Sequence, residues 1–269
     1  MNAHARQAAA ERAWASVSRF YENCKKPGVK KKGYPKYQKD CRSVEYKTSG
    51  WRLSDDRKYI NFKDGHKIGW VKLRGGRQIE IGHLIHIKRV KIVRKAKGYY
   101  AQFSIDVPNL EHVAPTGKAV GLDVGLESFY TDSNGVSVGN PRFLRKAERK
   151  LKRYQRRLSK RVKGSKNRRK QIRKVGVAHQ EISQQRKDYV VKTARCVVKS
   201  NDFVAVEDLK VRNMVKNHKL AKSISDASWR LFRLWVEHYG KKFGESGPSH
   251  ESRMDVPEMF GMWEITYGK

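Results

Sequence analysis

Asp123 and Glu207 are the residues whose placement could do chemistry. The aspartate follows Ala119-Val120-Gly121-Leu122 and the glutamate follows Phe203-Val204-Ala205-Val206, so each carboxylate ends a short apolar run of strand character. Where a strand is hydrophobic throughout and then shows one acid, that acid sits at the sheet edge, facing solvent, a metal or a ligand. The chain carries 61 Lys+Arg against 26 Asp+Glu, a net charge of +35. Two carboxylates in so positive a chain suggest a magnesium site acting on nucleic acid, because carboxylate oxygens hold hard divalent ions that activate a water and stabilise a leaving oxygen. Each acid also has a plainer reading. Asp123 could form a turn, and Glu207, before Asp208-Leu209, could open a helix.

The charge balance concentrates phosphate-bearing partners around the molecule and drives counterion release on binding. Anionic membrane is the rival partner, but no apolar run approaches the roughly 20 residues that span a bilayer, and no signal-peptide pattern opens the chain. Cys24, Cys41 and Cys196 are far apart with no Cys-x-x-Cys, so they read as reduced thiols and no zinc is expected. No His-Glu-x-x-His, Gly-x-Ser-x-Gly or phosphate-binding Gly-rich loop is present, which sets aside the corresponding metalloprotease, hydrolase and nucleotidase chemistries. His83 and His86 read as surface residues or RNA contacts, since no thiol or carboxylate nearby completes a ligand set.

The elements that must position the acids follow from periodicity. Ala10, Trp14, Val17 and Phe20-Tyr21 recur at helical spacing, giving one amphipathic N-terminal helix. Lysines interleaved with Tyr34, Tyr37 and two prolines then make residues 25–39 a basic linker, either a solvated loop or a nucleic-acid contact. From Tyr46 to Val107 the period is two: Ile60/Phe62, Ile68/Trp70, Ile79/Ile81 and Ile85/Ile87 alternate, and a phase slip to Val90/Ile92 predicts a bulge near Arg89. Lys97-Gly98 joins that strand to Tyr99, Ala101, Phe103, Ile105 and Val107 as a hairpin, and the whole segment predicts a small antiparallel barrel or sandwich. Asn134-Gly135 signals a second hairpin, between Phe129-Tyr130-Thr131 and Val136-Ser137-Val138, so the Asp123 strand opens a meander resembling an RNase H-type sheet. Leu144, Ala147, Leu151, Tyr154 and Leu158, then Ile172, Val175, Ala178, Ile182, Tyr189 and Thr193, predict two long helices folded into an antiparallel pair around Gly164-Ser165. Between Arg142 and Lys174 the only acid is Glu148. Solvated faces normally mix signs, so this one favours tracking of phosphates.

Val120-Gly121-Leu122-Asp123-Val124-Gly125-Leu126, Arg186-Lys187-Asp188-Tyr189 with Lys192, Val206-Glu207-Asp208-Leu209 with Asn213-Met214, and Ser225-Asp226-Ala227-Ser228-Trp229 with Phe232 and Tyr239-Gly240 together resemble the TnpB (OrfB-type) proteins of insertion sequences. The resemblance covers roughly residues 10–244. It implies a transposon-encoded, transposase-associated, RNA-guided DNA endonuclease, with guide-type RNA and DNA as partners and a bacterial, cytoplasmic, nucleoid-associated location. It makes Asp123 and Glu207 the first two acids of a RuvC-like catalytic site holding Mg2+. The fold it implies is α+β: a helical remnant and linker at 1–44, a wedge-like small antiparallel barrel at 45–117, and an RNase H-like (RuvC) domain at 118–244 with a basic helical insertion at about 142–200. Arg149, Arg153, Arg156, Arg157, Lys160, Arg168, Arg169 and Lys192 are the expected nucleic-acid contacts.

After Gly244 the family continues into a zinc ribbon and a third catalytic aspartate, whereas residues 245–269 match no part of that pattern and are expected to be disordered. The expectation is therefore an incomplete magnesium site and impaired cleavage, with Asp255 the best substitute for the third acid. The other reading is a non-catalytic RNA- or DNA-binding remnant.

Overall fold

The structure is a computed structural model that describes residues 2–29, 32–37, 39–75, 86–106, 113–244 and 263–266. It divides into two units, residues 1–108 with 257–269, and residues 109–256.

The first unit begins with α1 (Ala3–Lys25), whose Asn2 cap accepts the His4 N–H at 2.9 Å. Six strands follow: β1 (Ser43–Tyr46), β2 (Trp51–Leu53), β3 (Tyr59–Phe62), β4 (Trp70–Arg74), β5 (His86–Arg94) and β6 (Tyr99–Asp106). The last strand of the chain, β11 (Trp263–Thr266), inserts between β4 and β6 and pairs antiparallel with both. It falls within the segment expected to be disordered. The order is β1-β5-β6-β11-β4-β3-β2, an open seven-stranded sheet. The barrel expected from sequence is therefore not closed: among the described residues β1 and β2 remain its two ends. Helix α1 packs beside the end strand β1, with Arg12 reaching Ser43, and its cap Asn2 donates to the Lys63 carbonyl just after β3. Gly50, at φ +92°, is needed in the β1–β2 turn because a Cβ there would come within 2.9 Å of the Asn2 side chain.

The bulge falls where the phase slip put it, between Ile87 and Arg89. Two other expectations change. In β4 it is Val71 and Leu73 that are buried, while Ile68 and Trp70 face out, because β4 enters the sheet one residue out of phase with the Ile68/Trp70 pattern and side-chain period two inverts the face. In α1 the buried residues are Ala5 and Ala8, whose small side chains let the helix lie close to the sheet, and the Trp14 face is turned away. Ile79, Ile81, His83, Ile85 and Val107 lie outside the described residues, as does the His86 side chain.

The second unit is a four-stranded mixed sheet, β10-β7-β8-β9, built from β7 (Ala119–Asp123), β8 (Ser128–Asp132), β9 (Ser137–Gly139) and β10 (Phe203–Val206). The Asn134-Gly135 hairpin forms as the sequence dictates: Gly135 adopts φ +81° and Asp132 exchanges backbone hydrogen bonds across it. Between β9 and β10 run α2 (Phe143–Ser159) and α3 (Lys166–Ser200), with Gly164 at φ +84° in the turn. Then come α4 (Val211–Met214), α5 (Ala221–Ala227) and α6 (Trp229–Gly244).

Val190, Ala194 and Val197 of α3 join Phe232, Trp235 and Val236 of α6 over Val120, Leu122 and Phe129 of the sheet. Phe129 and Phe232 meet edge-on at 5.0 Å, a favoured geometry for paired rings. The α2–α3 stripe departs from its expected register at one place. Ile172 is exposed, and its neighbour Gln171 is buried, its Nε2 donating to the Tyr154 carbonyl at 3.0 Å. Among the described residues no helix is long and apolar enough to cross a membrane.

Candidate active site and nucleic-acid surface

Strands β7 and β10 run parallel, with Phe203, Val204, Ala205 and Val206 in register with Ala119, Val120, Gly121 and Leu122. The next residue of each strand is an acid, so Asp123 and Glu207 leave the same end of the sheet from adjacent strands. Val120 and Leu122 point into the helix-covered core and Val204 and Val206 pack against it. By the two-residue alternation both acids therefore belong to the opposite face, together with the small residues Gly121 and Ala205. Both are exposed.

The register is pinned from the strand beginnings. Asp202 accepts the Thr116 N–H on both carboxylate oxygens, at 2.8 and 2.9 Å, and the Gly117 N–H at 2.6 Å. These backbone donors hold its carboxyl below the usual carboxylate range. The Asp202 and Phe203 N–H groups both donate to the Lys118 carbonyl.

Most acids of this unit are already engaged. Asp208 and Glu237 pair with Arg233, Glu148 with Lys152 and Lys222, Glu181 with Lys150, Asp188 with Lys192, and Asp226 with Arg186. Among the described residues, Asp123 and Glu207 have no such cation. Exposed and unpaired, they present hard oxygen donors suited to a hydrated divalent ion, which accepts one or two carboxylates and keeps its waters. Among the described residues no third His, Cys, Asp or Glu joins them as a metal-binding group. Asp255, the expected substitute, lies outside those residues. Beside Glu207 a cleft of about 800 Å³ is lined by Lys210, Arg212, Arg230 and Arg233 and by Trp229, and among the described residues the buried Trp229 indole N–H has no partner.

The basic surface is on α2. Arg149, Arg153, Arg156, Arg157 and Lys160 lie together with Lys146 and Lys150 along a groove of about 640 Å³ that no acid lines. The other expected contacts are placed differently. Arg168 turns into the hairpin, its Nη1 donating to the Leu158 and Arg161 carbonyls at 3.0 Å each. Arg169 is exposed in the first turn of α3. Lys192 pairs with Asp188 at 2.8 Å.

Sequence reasoning gave no role to the clasp that orients this surface. Helix α2 starts at Arg142 in a left-handed conformation without a side-chain cap, and Asp226 of α5 supplies the cap instead. Both Asp226 oxygens accept the Leu144 N–H at 3.0 Å, and the Arg186 guanidinium of α3 donates to the same carboxylate. Glu148 of α2 returns the bridge to Lys222 of α5, and its hydrogen bonds to Lys152 and Lys222 hold its carboxyl down at about 2. No local signal in the sequence marks this pair, since Arg186 stands in the polar run Gln184-Gln185-Arg186-Lys187-Asp188 and Asp226 among serines.

A mixed sheet ending in two exposed acids, beside a helix whose charges are basic except for Glu148, makes a candidate metal centre and a candidate phosphate-binding surface. Comparison with known proteins narrows the class. Residues 102–218 match the OrfB-type family described as "Probable transposase". Over 131 residues the chain is 41% identical to a "Putative RNA-guided DNA endonuclease" of Streptomyces pristinaespiralis, covering 47% of this chain and 33% of that protein. Over 189 residues it is 30% identical to the "Putative RNA-guided DNA endonuclease InsQ" of Escherichia coli, covering 70% of this chain and 45% of that protein. The chain thus spans less than half the length of these curated relatives. Over the shared residues it is a TnpB-type, OrfB-family protein of insertion sequences.

Proposed function

We propose that the second unit is a RuvC-like (RNase H-like) nuclease centre of an RNA-guided DNA endonuclease, in which Asp123 and Glu207 hold Mg2+ and the α2 groove holds the backbone of a guide RNA or its DNA target. The observation that carries this reading is the register of β7 and β10, which sets the two unpaired acids side by side on one sheet face. The parallel β10 beside a β7-β8-β9 meander is the arrangement the RNase H resemblance implies. Bound Mg2+ supplies Lewis acidity toward a phosphodiester. The two carboxylates would hold it, and the α2 arginines would neutralise phosphates.

The second reading, binding without cutting, is favoured by the lack of a third ligand group among the described residues, because an in-line two-metal displacement needs enough fixed carboxylates to hold both ions. The test is cleavage in Mg2+ of a DNA matched to a bound guide RNA. Cleavage that is lost in both Asp123→Ala and Glu207→Ala supports the nuclease reading. Cleavage that survives both substitutions removes the acids from the centre, and binding without cleavage in the unsubstituted chain supports the second reading.

A further inference from the structure

Helix α1 has two unlike faces. Ala5 and Ala8 are buried against the sheet, whereas Trp14 and Tyr21 are 70% and 60% exposed. At 3.6 residues per turn, Trp14 projects from the side opposite Ala5, and Tyr21, about 10 Å further along the axis, returns to the face of Trp14. The face turned from the sheet is thus aromatic. An extended strap, residues 32–37, is tied to the end of the helix: Lys32 Nζ donates to the Asn23 and Cys24 carbonyls, and Asn23 Nδ2 donates to the Lys32 carbonyl at 3.3 Å. Phe20 meets Tyr34 edge-on at 5.1 Å. The strap holds Tyr34 beside α1 and ends at Tyr37; these rings are 74% and 90% exposed.

Cations flank the rings in sequence. Residues 12–39 contain nine Lys or Arg and a single acid, Glu22, and Arg19, Lys25, Lys26 and Lys36 are exposed. Exposed rings grouped on a monomer mark a binding surface. The charge selects the occupant, since a polyanion is attracted here and a basic or neutral protein surface is not.

We propose that this face binds an unpaired stretch of nucleic acid, with bases stacking on Trp14, Tyr21, Tyr34 and Tyr37 and phosphates met by the flanking lysines. Every base offers a π-face, so such a platform needs no sequence readout, and bases already stacked within a duplex cannot reach it. The Trp14–Tyr21 separation of about 10 Å matches about three stacked bases at the nucleotide rise. The inference rests on the nucleic-acid-binding part of the proposed function for the class of partner, and it is independent of the acid pair.

The test is binding of an unstructured oligouridylate and of a blunt RNA duplex to the full chain and its variants. Trp14→Ala and the double substitution Tyr34→Ala/Tyr37→Ala should each weaken oligouridylate binding about tenfold and duplex binding less than about twofold, while Trp14→Phe keeps most of the affinity. Because these side chains are exposed, circular dichroism and the melting temperature should not move. Equal losses on both probes, or none on oligouridylate, overturn the inference. If the unsubstituted chain binds duplex but not oligouridylate, the platform is refuted while the α2 surface stands; if it binds neither, both readings fail. Alanine variants that keep full oligouridylate affinity but lose self-association in sedimentation make the face a protein interface, which also overturns it.

Discussion

Asp202 accepts the Thr116 backbone N–H on both of its carboxylate oxygens, and this contact fixes where β10 begins against β7. Four residues further along each strand that register brings out Glu207 and Asp123. Because the bonds favour the ionised carboxylate, the folded-state value lies below the ordinary one near 3.9. The stabilisation is therefore fully present above about pH 4 and is lost as pH falls through the lower folded-state value. Melting temperature followed downward from pH 6 should drop more steeply for the unsubstituted chain than for Asp202→Asn, which lacks the titrating group. Parallel curves would remove the ionised Asp202 from this role.

Asp226 and Arg186 form a largely buried pair that also caps α2. Removing one partner of such a pair leaves a charge without compensation, so Arg186→Ala should cost about 3 kcal/mol in denaturant unfolding. Asp226→Ala should cost more, because the α2 cap goes with it, by about 1 kcal/mol. The double variant should fall well short of the sum, as coupled residues do. Additive costs would show that the two do not act together.

The sequence made both acid-bearing strands, the Asn134-Gly135 hairpin, the Arg89 bulge and the helical pair legible, because each rests on a local signal: an apolar run, a turn dipeptide, a phase slip or a stripe at helical spacing. What it hid depends on partners distant in the chain. Helix α1 packs on the end strand β1, β11 enters the sheet from beyond residue 260, and Asp226 caps a helix 82 residues away. None of these has a periodicity. Gln171 and Ile172 show the limit within one helix turn, since the stripe assigned the apolar neighbour to the core and the Tyr154 carbonyl selected the glutamine. Ile172→Lys should change stability by less than about 0.5 kcal/mol, while Gln171→Ala should cost about 1–3 kcal/mol by leaving a buried contact unmade. The reverse ranking in a denaturant titration would contradict the packing described here.

Along α2, Arg149, Arg153, Arg156 and Arg157 line a groove without acids. Replacing all four by glutamine should lower the slope of log affinity against log salt on duplex DNA by about 3.6, since each neutralised phosphate contributes about 0.9. Stability should be unaffected because the side chains are off the packed stripe. An unchanged slope would place the phosphate contacts elsewhere.

Whether Asp123 and Glu207 share one divalent cation is read, without requiring turnover, by Mn2+ titration followed by electron paramagnetic resonance. A shared site should give a bound-Mn2+ signal that Mg2+ displaces and that Asp123→Ala and Glu207→Ala each abolish, with the fold retained in both variants. Mn2+ binding of equal strength in the unsubstituted chain and both variants would contradict it.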